Sequence, residues 1–554
     1  MLGRLLFFAL TAAAGGFSSQ PDASGDYSRY YYEEIKEPFF RSAPDDPAFV
    51  ISARPGALPA RFAARKPKGT LRVFVVGGST AARWDGLRDL AWGLKRAMRS
   101  GSFEVINCGM SGYDSDRERL VLRDVLRYEP DVVVFLTGHN DFGVGASPPK
   151  PLWLLRAGAL LRRWGWPRPD PSRAPARAEI AAERRAKLDR LLANVAADVR
   201  DVRRAGALPV VCLPPVDYED TAPGGGGLPW GDEAFVRGWR LFLRGRDAEA
   251  AEAWRRRALA LREDQDELAG ALWNYAGRAD ARARRLERSR EDFERSIEAP
   301  ANSDVCGPSC ARALARTAKK EGALVVDLDA SFRKKSWPRL PGIELFTDAI
   351  HWNVEHTELL TLPAVDALRR ADALRGRDWS PETASPGPLP ADQTAKARKD
   401  HAAAALFYTL QRVEGSAKFS PRALRWLQGL GVLRPRWLRD ADALTEAARA
   451  VYADFDNRIP QYTSRPLPAR TVPRGRLLGY LGLMALEAGD CRRARSALSD
   501  ALVEPGAPDE FRLVRAAAEA VCGDGAGAGK DLSAVAAGPL ATEAAVFRGA
   551  FLRP

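Results

Sequence analysis

Four short segments carry side chains that together could run acyl transfer through a serine. Gly77-Gly78-Ser79-Thr80, Ser111-Gly112-Tyr113 and Gly138-His139-Asn140-Asp141 each closely follow an apolar run that reads as a buried strand. Asp348-Ala349-Ile350-His351 comes far downstream. A Ser hydroxyl is a poor nucleophile until an imidazole takes its proton, and that imidazole needs a carboxylate to fix its tautomer and stabilise its charged form. Ser79, His351 and Asp348 are the three groups required. The tetrahedral intermediate also needs donors aimed at its oxyanion, which the backbone N–H groups of Ser79 and Gly112 and the side-chain amide of Asn140 could supply. Gly112 suits that approach because it lacks a Cβ. Asp348 and His351, three residues apart, are expected to be neighbours on one helical turn.

Each segment alone is ordinary. A Gly-Gly-Ser-Thr turn after a strand is usually a βα loop with a helix cap, Gly-x-Asn-Asp is most often a turn, and Asp-x-x-His can simply start a helix. Their combination points to a site. The chain has only 4 histidines, His139, His351, His356 and His401. His139 could orient the site, touch substrate together with Gly78, or make a structural hydrogen bond in its turn. His356 is expected on the helix after the site turn, and His401 belongs to another region. Neither His-Glu-x-x-His nor paired Cys-x-x-Cys spacing occurs, so neither metal nor cofactor is expected.

The elements that would position these groups follow from hydrophobic periodicity. Strands are expected at 71–76, 103–107, 132–136, 208–213 and 324–328, with the third apolar throughout, as for a strand covered on both faces. Leu87, Leu90, Leu94 and Met98 fall on one helical face, and further helices are expected at 117–127, 180–204 and 354–368. This alternation predicts an α/β fold, a doubly wound parallel five-stranded sheet in three layers. Ligands bind such sheets at the carboxyl ends of the strands, where the first three segments lie.

In order and content the four segments resemble the SGNH subgroup of the GDSL hydrolases, serine esterases and lipases on a doubly wound α/β fold. The resemblance covers roughly residues 70–370. It implies Ser79 as nucleophile and first oxyanion donor, Gly112 and Asn140 as the other donors, and Asp348 with His351 as the rest of the triad. Where the name-giving motif has Asp before Ser, this chain has Gly78.

The 554 residues exceed one typical domain. Residues 1–19 read as a signal peptide or short anchor: Arg4 precedes an apolar stretch from Leu5 to Leu10, and small residues lead to Ser18-Ser19. An exported, periplasmic or extracellular protein is expected. An N-terminal extension spans 20–69, and the hydrolase-like domain 70–375. Within the latter, 217–303 is a helical insertion that opens on Gly224–Gly227, resembles a tetratricopeptide repeat at Gly238, Gly245, Ala250 and Trp254, and is expected to wall the substrate. A Pro-rich linker occupies 376–398. From 399 to 554 a separate α-helical domain follows, with a closer repeat match at Leu481, Gly482, Gly489, Ala494, Leu498 and Ala501, and neighbouring helices expected at 402–413 and 444–452.

The formal net charge is +13, spread along helices and without a recognisable nucleic-acid signature, so nucleic acid is not an expected partner. Cys306 with Cys310, and Cys491 with Cys522, could pair in an oxidising compartment, while Cys108 and Cys212 read as buried apolar residues. The favoured reading is a serine hydrolase of carboxylic esters, acting on an acylated carbohydrate or lipid. Its alternatives are an acyltransferase using the same triad, and a binding or assembly protein whose helical repeats engage a protein partner.

Overall fold

Val132–Leu136 is a run of five apolar residues, all of them buried, because helices cover both faces of the sheet it crosses. The computed structural model describes residues 38–54, 56–142, 177–220, 228–261, 266–299, 305–380, 387–394 and 474–552. The leader, the Gly224–Gly227 run, His401 and the helices expected at 402–413 and 444–452 lie outside the described residues. Two compact units are present: Met1–Pro214 with Ser303–Asp327 and Ala364–Thr383, and Pro215–Asn302 with Leu328–Pro363 and Ala384–Pro554.

In the first unit, β1 (Phe40–Ser42), β2 (Phe49–Ser52) and β3 (Arg61–Ala63) form a small antiparallel sheet. The expected strands follow as β4 (Leu71–Gly77), β5 (Phe103–Asn107), β6 (Val132–Leu136), β7 (Leu208–Leu213) and β8 (Leu324–Asp327), in the parallel order β5-β4-β6-β7-β8. This is the doubly wound sheet expected. From β4 the chain passes to β5 on one side and then to β6 on the other, which opens a crevice at their carboxyl ends. Phe74, Val76, Val133, Phe135 and Val211 from the strands, with Val121, Val125, Val195, Val199 and Leu314 from helices, form its core. Each such buried side chain contributes roughly 1.5–3 kcal/mol relative to exposure.

The small sheet falls within the extension that the sequence left unassigned, because strands of three or four residues are too short to show an alternating pattern. Arg72 ties it to β4. Fully buried, Arg72 pairs with Glu104, donates to the Tyr128 carbonyl at 2.8 Å and the Ala63 carbonyl at 2.7 Å, and lies over the Phe62 ring. A buried guanidinium is tolerable only with partners of this kind. The linker also starts later than residue 376. Arg377 donates to the Gly69 carbonyl at 2.6 Å, Ser100 to Asp378 at 2.7 Å, and Trp379 bridges Met98, so residues 376–380 belong to the first unit.

The second unit corrects the separation of insertion from C-terminal domain. Helices at Glu233–Leu243, Asp247–Ala260, Asp266–Arg282 and Leu286–Glu298 share one core with those at Arg474–Glu487, Cys491–Val503, Glu510–Val521, Gly525–Val535 and Ala541–Phe547. Trp230 stands edge-on to Phe547 at 5.4 Å, and Arg278 pairs with the buried Glu487. A helical hairpin buries only one face by itself, so two hairpin sets far apart in sequence cover each other. Gly238 carries a close approach between the first two of these helices, since a Cβ there would sit 2.4 Å from the Trp254 indole nitrogen.

Replacing Arg72 by Met is expected to lower unfolding free energy by about 2–4 kcal/mol, because two carbonyls and Glu104 lose their donor. Urea denaturation checks this; an unchanged midpoint would show that Arg72 does not join the two sheets.

Candidate active site

Ser79, half-buried, is the first residue of a short helix, Ser79–Arg83, that starts two positions beyond the end of β4. The helix is held from the neighbouring strand end. Asn107, last residue of β5, donates from Nδ2 to the Ala81 carbonyl at 2.8 Å and the Trp84 carbonyl at 3.1 Å, while its Oδ1 accepts from Gly109 N–H at 2.9 Å. One side chain therefore joins the end of the helix that Ser79 opens to the start of the second segment. The sequence hint was a polar amide closing an apolar strand, to which no role was attached.

Gly112 is exposed and has a φ of 73°, and a Cβ built there meets nothing within 4 Å. The left-handed backbone therefore favours glycine here, in addition to the open approach that a missing Cβ leaves. Asn140 has one N–H committed to the Tyr113 carbonyl at 2.8 Å, which fixes which end of the amide is nitrogen. That nitrogen packs directly on Gly78: a Cβ at 78 would lie 2.2 Å from it and 2.9 Å from the Tyr113 carbonyl. The glycine in place of the motif's Asp is therefore a steric requirement of this site. No side chain at 78 is compatible with the Asn140 amide where it stands. Register explains the meeting, since Gly77 pairs with Leu136 and both loops leave the sheet at one edge.

In the second unit, Asp348 and His351 form the expected pair. His351 Nδ1 lies 2.7 Å from Asp348 Oδ2, while Oδ1 accepts from the backbone N–H groups of Ile350 and His351 at 2.9 and 2.8 Å. Burial pushes the Asp348 carboxyl up, but the His351 ring and these hydrogen bonds outweigh it and hold the group well below the usual carboxylate range. The pair sits in a closed loop, not on the helical turn expected. Phe346 bridges Trp352, Asn353 N–H donates to the Leu345 carbonyl at 2.7 Å, and Thr347 donates twice to the His351 carbonyl. With Nδ1 facing the carboxylate, Nε2 is the nitrogen for proton exchange. His356 lies in a 3-10 turn, Val354–His356, before the helix Glu358–Arg370.

The turn bearing Asn140 is held from two further sides. Asp141 is fully buried and accepts from the hydroxyl and N–H of Ser115, whose hydroxyl in turn accepts from Asn194 Nδ2 at 2.9 Å. Burial, with Asp114 nearby, raises the Asp141 carboxyl to about 7. His139 is also buried, and its Nδ1 accepts from Cys306 N–H at 3.2 Å. Ser79, Gly112, Asn140, His139 and Gly78 all belong to the first unit, and Asp348 and His351 to the second.

A doubly wound α/β sheet with such groups at its switch-point edge defines a class, and one comparison narrows it. Residues 75–279 match the GDSL-like Lipase/Acylhydrolase family, a span that includes Ser79, Gly112 and Asn140 and ends before Asp348. Over those residues the chain is similar to a GDSL-like lipase/acylhydrolase domain. No curated protein matches it. Among solved structures it is similar to the acetyl xylan esterase AlAXEase, with 12% identity, 54% of this chain and 99% of that chain covered, and a TM-score of 0.27. An acetylxylan esterase from Geobacillus stearothermophilus has 14% identity, 55% and 97% coverage and a TM-score of 0.28. A GDSL-like lipase from Bacteroides thetaiotaomicron has 11% identity, 62% and 98% coverage and a TM-score of 0.28.

Gly78→Ala is expected to displace the Asn140 amide and to lower kcat on a small aryl ester by about a hundredfold, with KM little changed. Steady-state kinetics check this, and wild-type kcat in the variant would contradict the steric account.

Proposed function

We propose that the chain hydrolyses carboxylic esters through an acyl-Ser79 intermediate. His351 Nε2 takes the Ser79 hydroxyl proton as Oγ attacks the ester carbonyl. The tetrahedral oxyanion is received by the N–H groups of Ser79 and Gly112 and the second N–H of Asn140. The proton then passes from His351 to the leaving alcohol. Water deprotonated by the same ring attacks the acyl-serine, the ring returns that proton to Ser79 Oγ as its bond to the acyl carbon breaks, and the carboxylic acid departs. Asp348 remains ionised and steadies the imidazolium. The observation that carries this reading is the approach of the Asn140 amide nitrogen to Gly78, the residue immediately before Ser79. The preformed Asp348–His351 pair supports it from the other half of the triad.

An acyl group borne on a carbohydrate or lipid is the substrate class we favour, outside the reducing cytoplasm. The disulfides Cys306–Cys310 and Cys491–Cys522 support an exported location, since such bonds persist in oxidising compartments. Among the described residues no helix is long and apolar enough to cross a membrane.

Ser79→Ala is expected to abolish hydrolysis of p-nitrophenyl acetate while leaving the circular dichroism spectrum unchanged. Asn140→Ala is expected to cost about a hundredfold or more in kcat. Hydrolysis at the wild-type rate in Ser79→Ala would remove the assignment of the nucleophile.

A further inference from the structure

The turn Gly138-His139-Asn140 has a neighbour that the mechanism does not use. Cys306 and Cys310 are joined in a disulfide, with both residues buried. Cys306 lies directly beneath the turn: its N–H donates to His139 Nδ1 at 3.2 Å, and a Cβ added to Gly138 would lie 3.2 Å from its sulfur. Because Nδ1 accepts a backbone N–H, the neutral ring must carry its hydrogen on Nε2. Cys306 lies in an irregular segment just before the helix Pro308–Lys320. Cys310, by contrast, is on that helix, whose Leu314 and Ala318 are packed into the core of the first unit. The disulfide thus carries the fixity of a core helix to Cys306, and the Cys306 N–H carries it on to the residue before Asn140.

We propose that His139 and the Cys306–Cys310 disulfide form a positioning clamp for Asn140, a role for His139 distinct from touching substrate. This rests on the reading of Asn140 as an oxyanion donor. The clamp holds the amide where charge develops in the transition state, so its loss falls on kcat and spares KM. A staple that merely stabilised the fold would change the melting temperature and leave the kinetics of the folded enzyme alone.

The test is a set of double-mutant cycles on the full chain with p-nitrophenyl acetate. His139→Ala, and Cys306→Ser with Cys310→Ser, are each expected to lower kcat about tenfold with KM unchanged. His139→Asn, whose Oδ1 can accept the Cys306 N–H, is expected to restore most of the loss. In an Asn140→Ala background the same changes should cost nothing further, because they act through that amide. Losses that multiply with that of Asn140→Ala, or that appear only as lowered thermal stability, would overturn the clamp. Undiminished turnover in Asn140→Ala alone would overturn the oxyanion reading itself.

Should the cysteine variants fail to fold, the chain carrying Cys491→Ser and Cys522→Ser can be treated with a dithiol. The dithiol gives up two electrons and two protons, becomes a cyclic disulfide and leaves Cys306 and Cys310 as thiols. Activity should then fall and return on reoxidation, and an unchanged kcat with both thiols titrated would refute the proposal.

Discussion

Parallel pairing of β4 with β6, Gly77 opposite Leu136, is the constraint from which the first half of the site follows. It exists because the chain leaves β4 for one side of the sheet and returns to the other, so strands not consecutive in sequence end side by side. Two loops emerging from adjacent strand ends then have little room between them. The Asn140 amide nitrogen fills that room against Gly78, and the Tyr113 carbonyl fixes its orientation. The Asn140 amide is thereby fixed before any substrate arrives, which is the condition under which the oxyanion donor proposed for it would be effective.

The Asp348–His351 pair is preformed by a different device. Closing the loop through Phe346 and Trp352 and through Leu345 and Asn353 leaves the two side chains few alternatives to facing one another. The carboxylate also accepts two backbone N–H groups from the same turn, and so remains charged although largely buried. One half is held between two neighbouring loops and the other inside a single loop, and neither asks a long flexible side chain to hold a geometry.

Much of this was legible in residue order. β6 and β7 lie where apolar runs predicted them, because a strand covered on both faces carries an unbroken hydrophobic signal. Less was legible wherever local pattern is weak or partners are remote. The strands β1 to β3 are too short to alternate. Asn107 and Asp141 act through contacts with residues tens of positions away, which spacing cannot reveal. The shared core of the insertion and the C-terminal helices was hidden because an apolar helical face does not name the face that covers it. The left-handed backbone at Gly112 was not legible, since a positive φ leaves no trace in sequence distinct from a need for space. Gly78, which read as a departure from the motif, is intelligible only once Asn140 is seen against it.

The nucleophile is tested most directly by reacting the intact protein with a fluorophosphonate, which phosphonylates a serine only when it is activated, and locating the adduct by peptide mass spectrometry. A single adduct on the peptide containing Ser79, lost when His351 is replaced by Ala, is the result expected. An adduct on another serine, or an Ser79 peptide that stays unmodified in protein that still hydrolyses esters, would contradict the account.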